Sequence, residues 1–62
     1  MEDEYIEIEI DELVKKTDEA ILIRIGDEKT WVPQSQCEDW PDEGDPGTVL
    51  MKEWIAVEKD LI

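Results

Sequence analysis

The 62-residue chain has no histidine and no phenylalanine, and Cys37 is its single cysteine. Without histidine it lacks the usual side-chain base near neutral pH and cannot form a Cys/His zinc site. One cysteine cannot form an internal disulfide, and the acidic N-terminus lacks the basic and apolar regions of a signal peptide. No apolar run approaches the roughly 18 residues of a membrane span. These absences predict a cytoplasmic protein with no membrane segment and no metal.

Positive charge is also scarce, because six lysine and arginine residues face 19 aspartate and glutamate residues, for a net charge of -13. Such a chain repels nucleic acid and anionic membrane surfaces, and it attracts basic protein surfaces. A small domain needs a net charge of only about 2–8 to stay soluble. The excess therefore predicts a basic protein partner, with no direct binding of nucleic acid or membrane.

The length limits the chain to a single domain, residues 1–62. A domain of this size buries only about 60% of the surface that its unfolded chain exposes. Paired carboxylates perform acid–base chemistry only where a sheltered site separates their pKa values, and so small a core predicts no such site. We therefore expect neither enzymatic activity nor a cofactor.

Alternating residues mark the first strand, where Ile6, Ile8 and Ile10 share one face and Glu7 and Glu9 the other. This period of two is typical of a half-buried strand. The alternation breaks after residue 10, which predicts a β-bulge near residues 11–13. A short helix that begins at residue 11 is the alternative.

Three further apolar segments predict strands, at residues 20–26, 30–32 and 48–51. A polar turn precedes the strand predicted at residues 20–26, and a second polar turn follows it. Gly26 can adopt the positive φ that this second turn requires. The final segment, residues 52–62, has the spacing of an amphipathic helix. The predicted fold is α+β: a small curved antiparallel sheet or partial β-barrel of about four strands, covered by the C-terminal helix.

Between the predicted strands at residues 30–32 and 48–51 lies an irregular acidic segment around Trp40. Its acidic residues are Glu38, Asp39, Asp42, Glu43 and Asp45. One interpretation is a solvated loop, and another is a contact surface in which Trp40 is the aromatic anchor. A calcium site is a third alternative, although the acidic spacing does not match the D-x-[DN]-x-[DN]-G pattern of such loops. Trp31 and Trp54 are expected in the core.

The outer face of the first strand is a second candidate contact surface, formed by Glu7, Glu9 and Asp11. Carboxylates two residues apart on a strand lie about 6.6–6.8 Å from each other. This spacing is of the order of that between successive phosphates of a nucleic-acid backbone. The alternative is that these are ordinary solvent-side residues that protect an exposed sheet edge.

Two stretches resemble a group of small phage and prophage proteins. Its pattern is an aliphatic strand, an acidic turn, Trp-(Ile/Val)-Pro-x-Ser-Gln, an acidic loop and a terminal Glu-Trp-(Leu/Ile)-Ala helix. The matching residues are Trp31, Pro33, Ser35, Gln36, Glu53, Trp54 and Ala56. The chain departs from the pattern at Lys52, where proline is favoured, at Asp60, where glycine would end the helix, and at Cys37. The resemblance implies origin in a mobile element and no particular chemistry.

Together these features favour an inhibitor that mimics nucleic acid, of the anti-restriction or anti-CRISPR type. It would occupy the basic channel of a host nucleic-acid-binding enzyme. The alternative is a non-enzymatic interaction or structural module of a mobile-element operon, either a monomer or a homodimer paired through residues 5–11.

Overall fold

A computed structural model describes residues 4–62 and contains six strands and one short α-helix in that range. The strands are β1 (Tyr5–Ile10), β2 (Glu12–Lys16), β3 (Ala20–Ile25), β4 (Glu28–Pro33), β5 (Cys37–Asp39) and β6 (Gly47–Lys52). A 3₁₀ turn, Gln34–Gln36, links β4 to β5, and the helix α1 spans Glu53–Glu58. None of the helices in residues 4–62 is long and apolar enough to cross a membrane.

The strands form two antiparallel sheets of three strands each. The first sheet has the order β1-β6-β5, and the second has the order β2-β3-β4. In the first sheet Glu7 lies opposite Leu50, and in the second Leu22 lies opposite Trp31. Because directly opposed residues share a sheet face, these registers determine which side chains turn outward together.

The chain passes from the first sheet to the second at Asp11, where it bends between β1 and β2. The next residues form a strand, so the helix considered for this segment is wrong. The register of β2 shifts between Leu13 and Lys15, which places the bulge slightly later than the alternation predicts. This bulge lets Leu13 turn into the core, where it is fully buried, while Lys15 stays exposed.

A single hydrophobic core joins the two sheets and the helix. Its buried members are Ile8, Ile10, Leu13, Ile21, Ile23, Val32, Val49, Met51, Ile55 and Ala56. They come from β1, β2, β3, β4, β6 and α1, so each of these elements contributes one apolar face. The isoleucine face predicted for β1 is confirmed, since Ile8 and Ile10 are buried and Glu7 and Glu9 are exposed.

Local turn chemistry agrees with the chain reversals. The β3–β4 hairpin turns at Gly26, whose φ of 62° is the positive value expected for this position. The end of α1 is a Schellman motif: Asp60 N–H donates to Val57 O at 3.1 Å, and Leu61 N–H donates to Ala56 O at 2.8 Å. Asp60 takes the left-handed position of this motif, with φ of 65°.

The α+β class and the C-terminal helix are confirmed, whereas the single curved sheet or partial barrel of about four strands is wrong. Within residues 4–62 the strands form two separate sheets that do not close. The sequence failed to indicate β5, because Cys37–Asp39 becomes a strand only by pairing with β6. The helix is also shorter than predicted, because the Schellman motif ends it at Glu58.

Candidate functional site

The outer face of the first sheet carries three acidic side chains from two strands. Glu7 and Glu9 are exposed on β1, and Asp39 is exposed on β5. Leu50 of β6 lies between them, opposite Glu7 on one side and Asp39 on the other. With adjacent strands about 4.7–4.9 Å apart, Glu7 and Asp39 flank Leu50 at a separation of roughly 10 Å. We call this surface, with Tyr5 at one end, the acidic face.

The carboxylates of the acidic face are largely free to meet a partner. In the described part of the chain, the side chains of Glu7 and Glu9 take part in no hydrogen bond or ion pair. Asp39 accepts one hydrogen bond, from the backbone N–H of Trp40 at 2.9 Å. An ion pair joins Arg24 to Glu12 on the other sheet. The acidic face therefore presents three carboxylates around the partly buried Leu50, with the cation Lys52 at its end, opposite Tyr5.

Asp11 does not extend this row, which corrects its predicted place beside Glu7 and Glu9. Its carboxylate Oδ2 accepts a hydrogen bond from Gly26 N–H at 2.7 Å, and its own N–H donates to Arg24 O at 2.9 Å. These bonds fix the crossing between the sheets against the β3–β4 turn. Asp11 is therefore a structural residue at the bend, although its side chain remains exposed.

The acidic loop, residues 40–46, lies along the outer edge of β2. Gly44 N–H donates to Leu13 O at 2.7 Å, and Leu13 N–H donates to Asp45 O at 2.9 Å. The Glu43 carboxylate accepts a hydrogen bond from Lys16 N–H at 3.0 Å. Unpaired strand edges invite pairing with other chains, and these contacts cover the edge of β2. The loop is therefore attached to the sheet, with Glu43 used in the attachment.

A tight turn gives the acidic loop its shape. Asp45 N–H donates to Asp42 O at 3.0 Å, and Gly44 has a φ of 92°. Positive φ at the third residue is typical of a type II turn. The side chains of Asp42 and Asp45 are exposed at this turn, and that of Glu38 is exposed at the irregularity in β5. These three carboxylates therefore stay accessible, and those of Asp42 and Asp45 lie on the loop, outside the acidic face.

Trp31 and Trp54 do not occupy the core positions expected for them, and the core instead receives part of Trp40. Trp40, in one interpretation of the sequence the aromatic anchor of a contact surface, is partly buried and packs against the hydrophobic core. Trp31 and Trp54, expected in the core, are 45% and 43% exposed. Trp31 falls on the outer face of β4, and Trp54 on the solvent side of α1. Periodicity could not decide this, because tryptophan fits both a core and an exposed contact surface.

The outer face of the second sheet carries positive charge. Lys15, Leu22 and Trp31 form one row across its three strands. The next row contains Glu12, Arg24 and Lys29, and Arg24 Nε lies 3.3 Å from Glu12 Oε1. Three of the six cationic residues of the chain therefore gather here. We call this surface the cationic face.

The negative charge is partly concentrated and partly dispersed. Besides the acidic face and the acidic loop, carboxylates occupy the hairpin turns at Asp18 and Glu19 and at Asp27 and Glu28. The cationic face is the part of the described surface where positive charge prevails. The protein is therefore polarised, with the two outer sheet faces of opposite sign.

Cys37 turns toward the interior, where its thiol lies 3.5 Å from the carbonyl oxygen of Pro33. Burial raises the pKa of the Cys37 thiol to about 11. The cause is desolvation, which disfavours the charged thiolate. A thiol with this pKa is a poor nucleophile near neutral pH.

Residues 4–62 bring together no group of three Asp, Glu or Cys side chains that could hold a metal ion. The acidic residues of the loop are separated instead, with Glu43 directed to Lys16. What the sequence did not reveal is the position of Asp39 across the sheet from Glu7. The two residues are far apart in the chain, and no local pattern in the sequence reports the pairing of β5 with β6.

Comparison of the chain with protein-family models, with curated proteins and with solved structures finds no match. The functional proposal therefore depends on the geometry and charge of the chain itself.

Proposed function

We propose that this protein is an acidic inhibitor that binds the basic, nucleic-acid-binding surface of another protein. The acidic face takes the place of a stretch of nucleic-acid backbone. The observation that carries the proposal is the exposure of Glu7 and Glu9 on β1 without hydrogen-bond or ion-pair partners among the described residues. In this role the protein carries out no reaction and needs no cofactor.

The spacing of the carboxylates supports this role. Glu7 and Glu9 are two residues apart on one strand, which separates them by about 6.6–6.8 Å. Asp39 adds a second line of charge beyond Leu50. Arginine and lysine side chains that grip phosphates also bind carboxylates, and arginine binds both through bidentate hydrogen bonds. A basic channel that accepts a phosphate backbone therefore has groups that can meet this face.

The net charge of -13 supports the same role through the rate of association. A strongly negative protein is steered toward a positive channel, and this attraction weakens as salt screens it. Origin in a phage or prophage, with action in the cytoplasm of the host, belongs to the proposal. It is supported by the resemblance of residues 31–36 and 53–56 to proteins of mobile elements.

The proposal is tested by reversing charge at two places with the same change in net charge. The test variant is Glu7→Lys with Glu9→Lys. The control variant is Asp18→Lys with Glu19→Lys, in the exposed β2–β3 turn. Basic proteins are captured from a host lysate at low salt, and each captured nucleic-acid-binding protein is tested for displacement from DNA or RNA. We expect wild type and control to displace the nucleic acid and the test variant to lose at least about tenfold in potency.

Two outcomes would contradict the proposal. One is that the control variant loses as much potency as the test variant, because position on the acidic face would then be irrelevant. The other is that the affinity of the captured partner is the same at low and high salt, since charge contacts must weaken as salt rises.

The outer edge of β1 raises self-association as a second candidate function, but the charge of this strand opposes it. Among residues 4–62, β1 pairs with β6 on one side and with no strand on the other. Suppose that two copies of β1 pair antiparallel across a two-fold axis, with their isoleucines on the same side of the joint sheet. The glutamates of one copy would then lie on the same face as, and opposite, the glutamates of the other. Like charges directly opposed across strands are destabilising. We therefore expect a monomer near neutral pH, which sedimentation at rising protein concentration would test.

A further inference from the structure

The solvent side of α1 carries an apolar stripe with acidic margins. Trp54 is 43% exposed and Val57 is 57% exposed, whereas Ile55 and Ala56 face the core. At about 100° per residue, Trp54 and Val57 point away from the buried side, with Glu53 and Glu58 on either flank. We call Trp54 and Val57 the helix patch.

The helix patch lies at the end of the first sheet that carries Tyr5. Tyr5 is opposite Lys52, the last residue before α1. Glu53 N–H, at the start of α1, donates to Glu4 O at 2.9 Å, which continues the β1–β6 pairing into the helix. Tyr5 is itself 40% exposed. The acidic face therefore leads, past an exposed tyrosine, to an exposed tryptophan.

We infer that the helix patch is the apolar anchor of the contact with the basic partner, an inference that rests on the function proposed above. Its occupant is a cationic protein surface with an apolar stripe, such as one side of a basic amphipathic helix. Glu53 and Glu58 meet the cations of that surface, while Trp54 and Val57 cover its apolar stripe. Tryptophan is enriched among the residues that dominate binding energy. This assigns to Trp54 the anchoring role that one interpretation of the sequence gives to Trp40.

The charge around the patch argues against other occupants. Lys52 and Lys59 cap the two ends of α1 beside Glu53 and Glu58, so it is the net charge of -13 of the whole chain that repels an anionic membrane surface. A second copy of the chain carries the same net charge, and a two-fold contact through α1 would bring the same acidic margins together. A cationic partner meets neither obstacle.

The experiment uses two peptides with the same number of lysines. One is an amphipathic helical peptide of leucine and lysine, and in the other every leucine is replaced by serine. The variant Trp54→Ala is compared with Trp31→Ala, because the two tryptophans are almost equally exposed, at 43% and 45%. Binding to the full chain is followed by backbone amide chemical shifts, which also report that each variant is folded.

We expect the leucine–lysine peptide to bind wild type more tightly than the serine–lysine peptide and to shift the amides of α1. Trp54→Ala should lower its affinity about tenfold, whereas Trp31→Ala should leave it within about twofold. Equal losses in the two variants, or equal affinity of the two peptides, would overturn the inference while leaving charge attraction in place. Failure of both peptides to bind would reject the proposed function and this inference together. A concentration-dependent dimer that Trp54→Ala abolishes would instead identify the patch as a self-association surface and overturn the inference.

Discussion

The Glu43 carboxylate reaches the backbone of Lys16, where its Oε2 accepts the N–H at 3.0 Å across 27 positions of the chain. The most acidic loop of the protein is thereby attached to the edge of β2. One of its three carboxylates, that of Glu43, therefore has a structural role. Reversing the charges of Asp42, Glu43 and Asp45 together would therefore disturb the fold as well as any contact. Glu7 and Glu9 are for this reason the better positions for the charge-reversal test of the proposed function.

The attachment of the loop predicts a difference between neighbouring loop residues. Glu43→Ala should lower the free energy of unfolding by about 0.5–1.5 kcal/mol, because the Lys16 N–H loses its partner. Asp42→Ala should change it by less than about 0.5 kcal/mol, because the Asp42 side chain makes no hydrogen bond among the described residues. Urea denaturation measures both values. Equal effects would mean that the Glu43 bond has no net influence on stability.

The environments of the tryptophans predict their contributions to stability. Trp40 packs against the core, so Trp40→Ala should destabilise the protein by about 1–3 kcal/mol through lost burial. Trp31→Ala and Trp54→Ala should each cost less than about 1 kcal/mol, because both side chains are more than two-fifths exposed. Thermal melts followed by circular dichroism show which of the three variants loses the most stability. A larger loss at Trp54 than at Trp40 would contradict the packing described above.

The left-handed conformation of Asp60 predicts a stabilising substitution. A non-glycine residue at φ of 65° is strained by about 1 kcal/mol, and a carboxylate at a helix C-terminus also opposes the helix dipole. Asp60→Gly should therefore raise the free energy of unfolding by about 1 kcal/mol. Asp60→Asn should give a smaller gain, and Asp60→Ala should give none, because alanine does not tolerate this φ. A gain with alanine equal to that with glycine would show that charge alone is responsible.

Burial of Cys37 predicts a loss of stability in alkaline solution. Its pKa is raised from 9.0 to about 11 in the folded protein, so the unfolded chain ionises first as pH rises. The stability that the neutral, buried thiol contributes to the folded protein is fully present below pH 9, and it is lost as pH rises toward 11. Cys37→Ala lacks this titration, and the difference in melting temperature between wild type and variant should change across that interval. A constant difference from pH 8 to pH 11 would be evidence against a buried thiol.

The net charge predicts that salt stabilises the folded protein. With a net charge of -13, mutual repulsion opposes the compact state, and added sodium chloride screens it. The melting temperature should rise with salt, and the rise should be smaller in the double variant Glu7→Gln, Glu9→Gln, which carries less charge. A flat or falling profile in wild type would show that the carboxylates do not repel one another in the fold.

Much of the local structure is readable from the order of residues. The isoleucine alternation of β1, the turn at Gly26 and the presence of a C-terminal helix each depend on a few neighbouring residues. These patterns reflect backbone sterics and the burial of one face. The excess of negative charge is likewise a property of composition.

The division into two sheets, and the surfaces that result, needed the tertiary structure. No local sequence pattern near Asp11 indicates that the chain changes sheets there. No pattern near Cys37 indicates that residues 37–39 pair with β6. Register and partner choice depend on contacts between residues distant in the chain. Those contacts decide that Asp39 faces outward beside Leu50, that Trp40 packs inward, and that Trp54 remains at the surface. The sequence alone determined how much negative charge the protein carries and which strand face of β1 is apolar, whereas packing decided which carboxylates and which tryptophans remain at the surface.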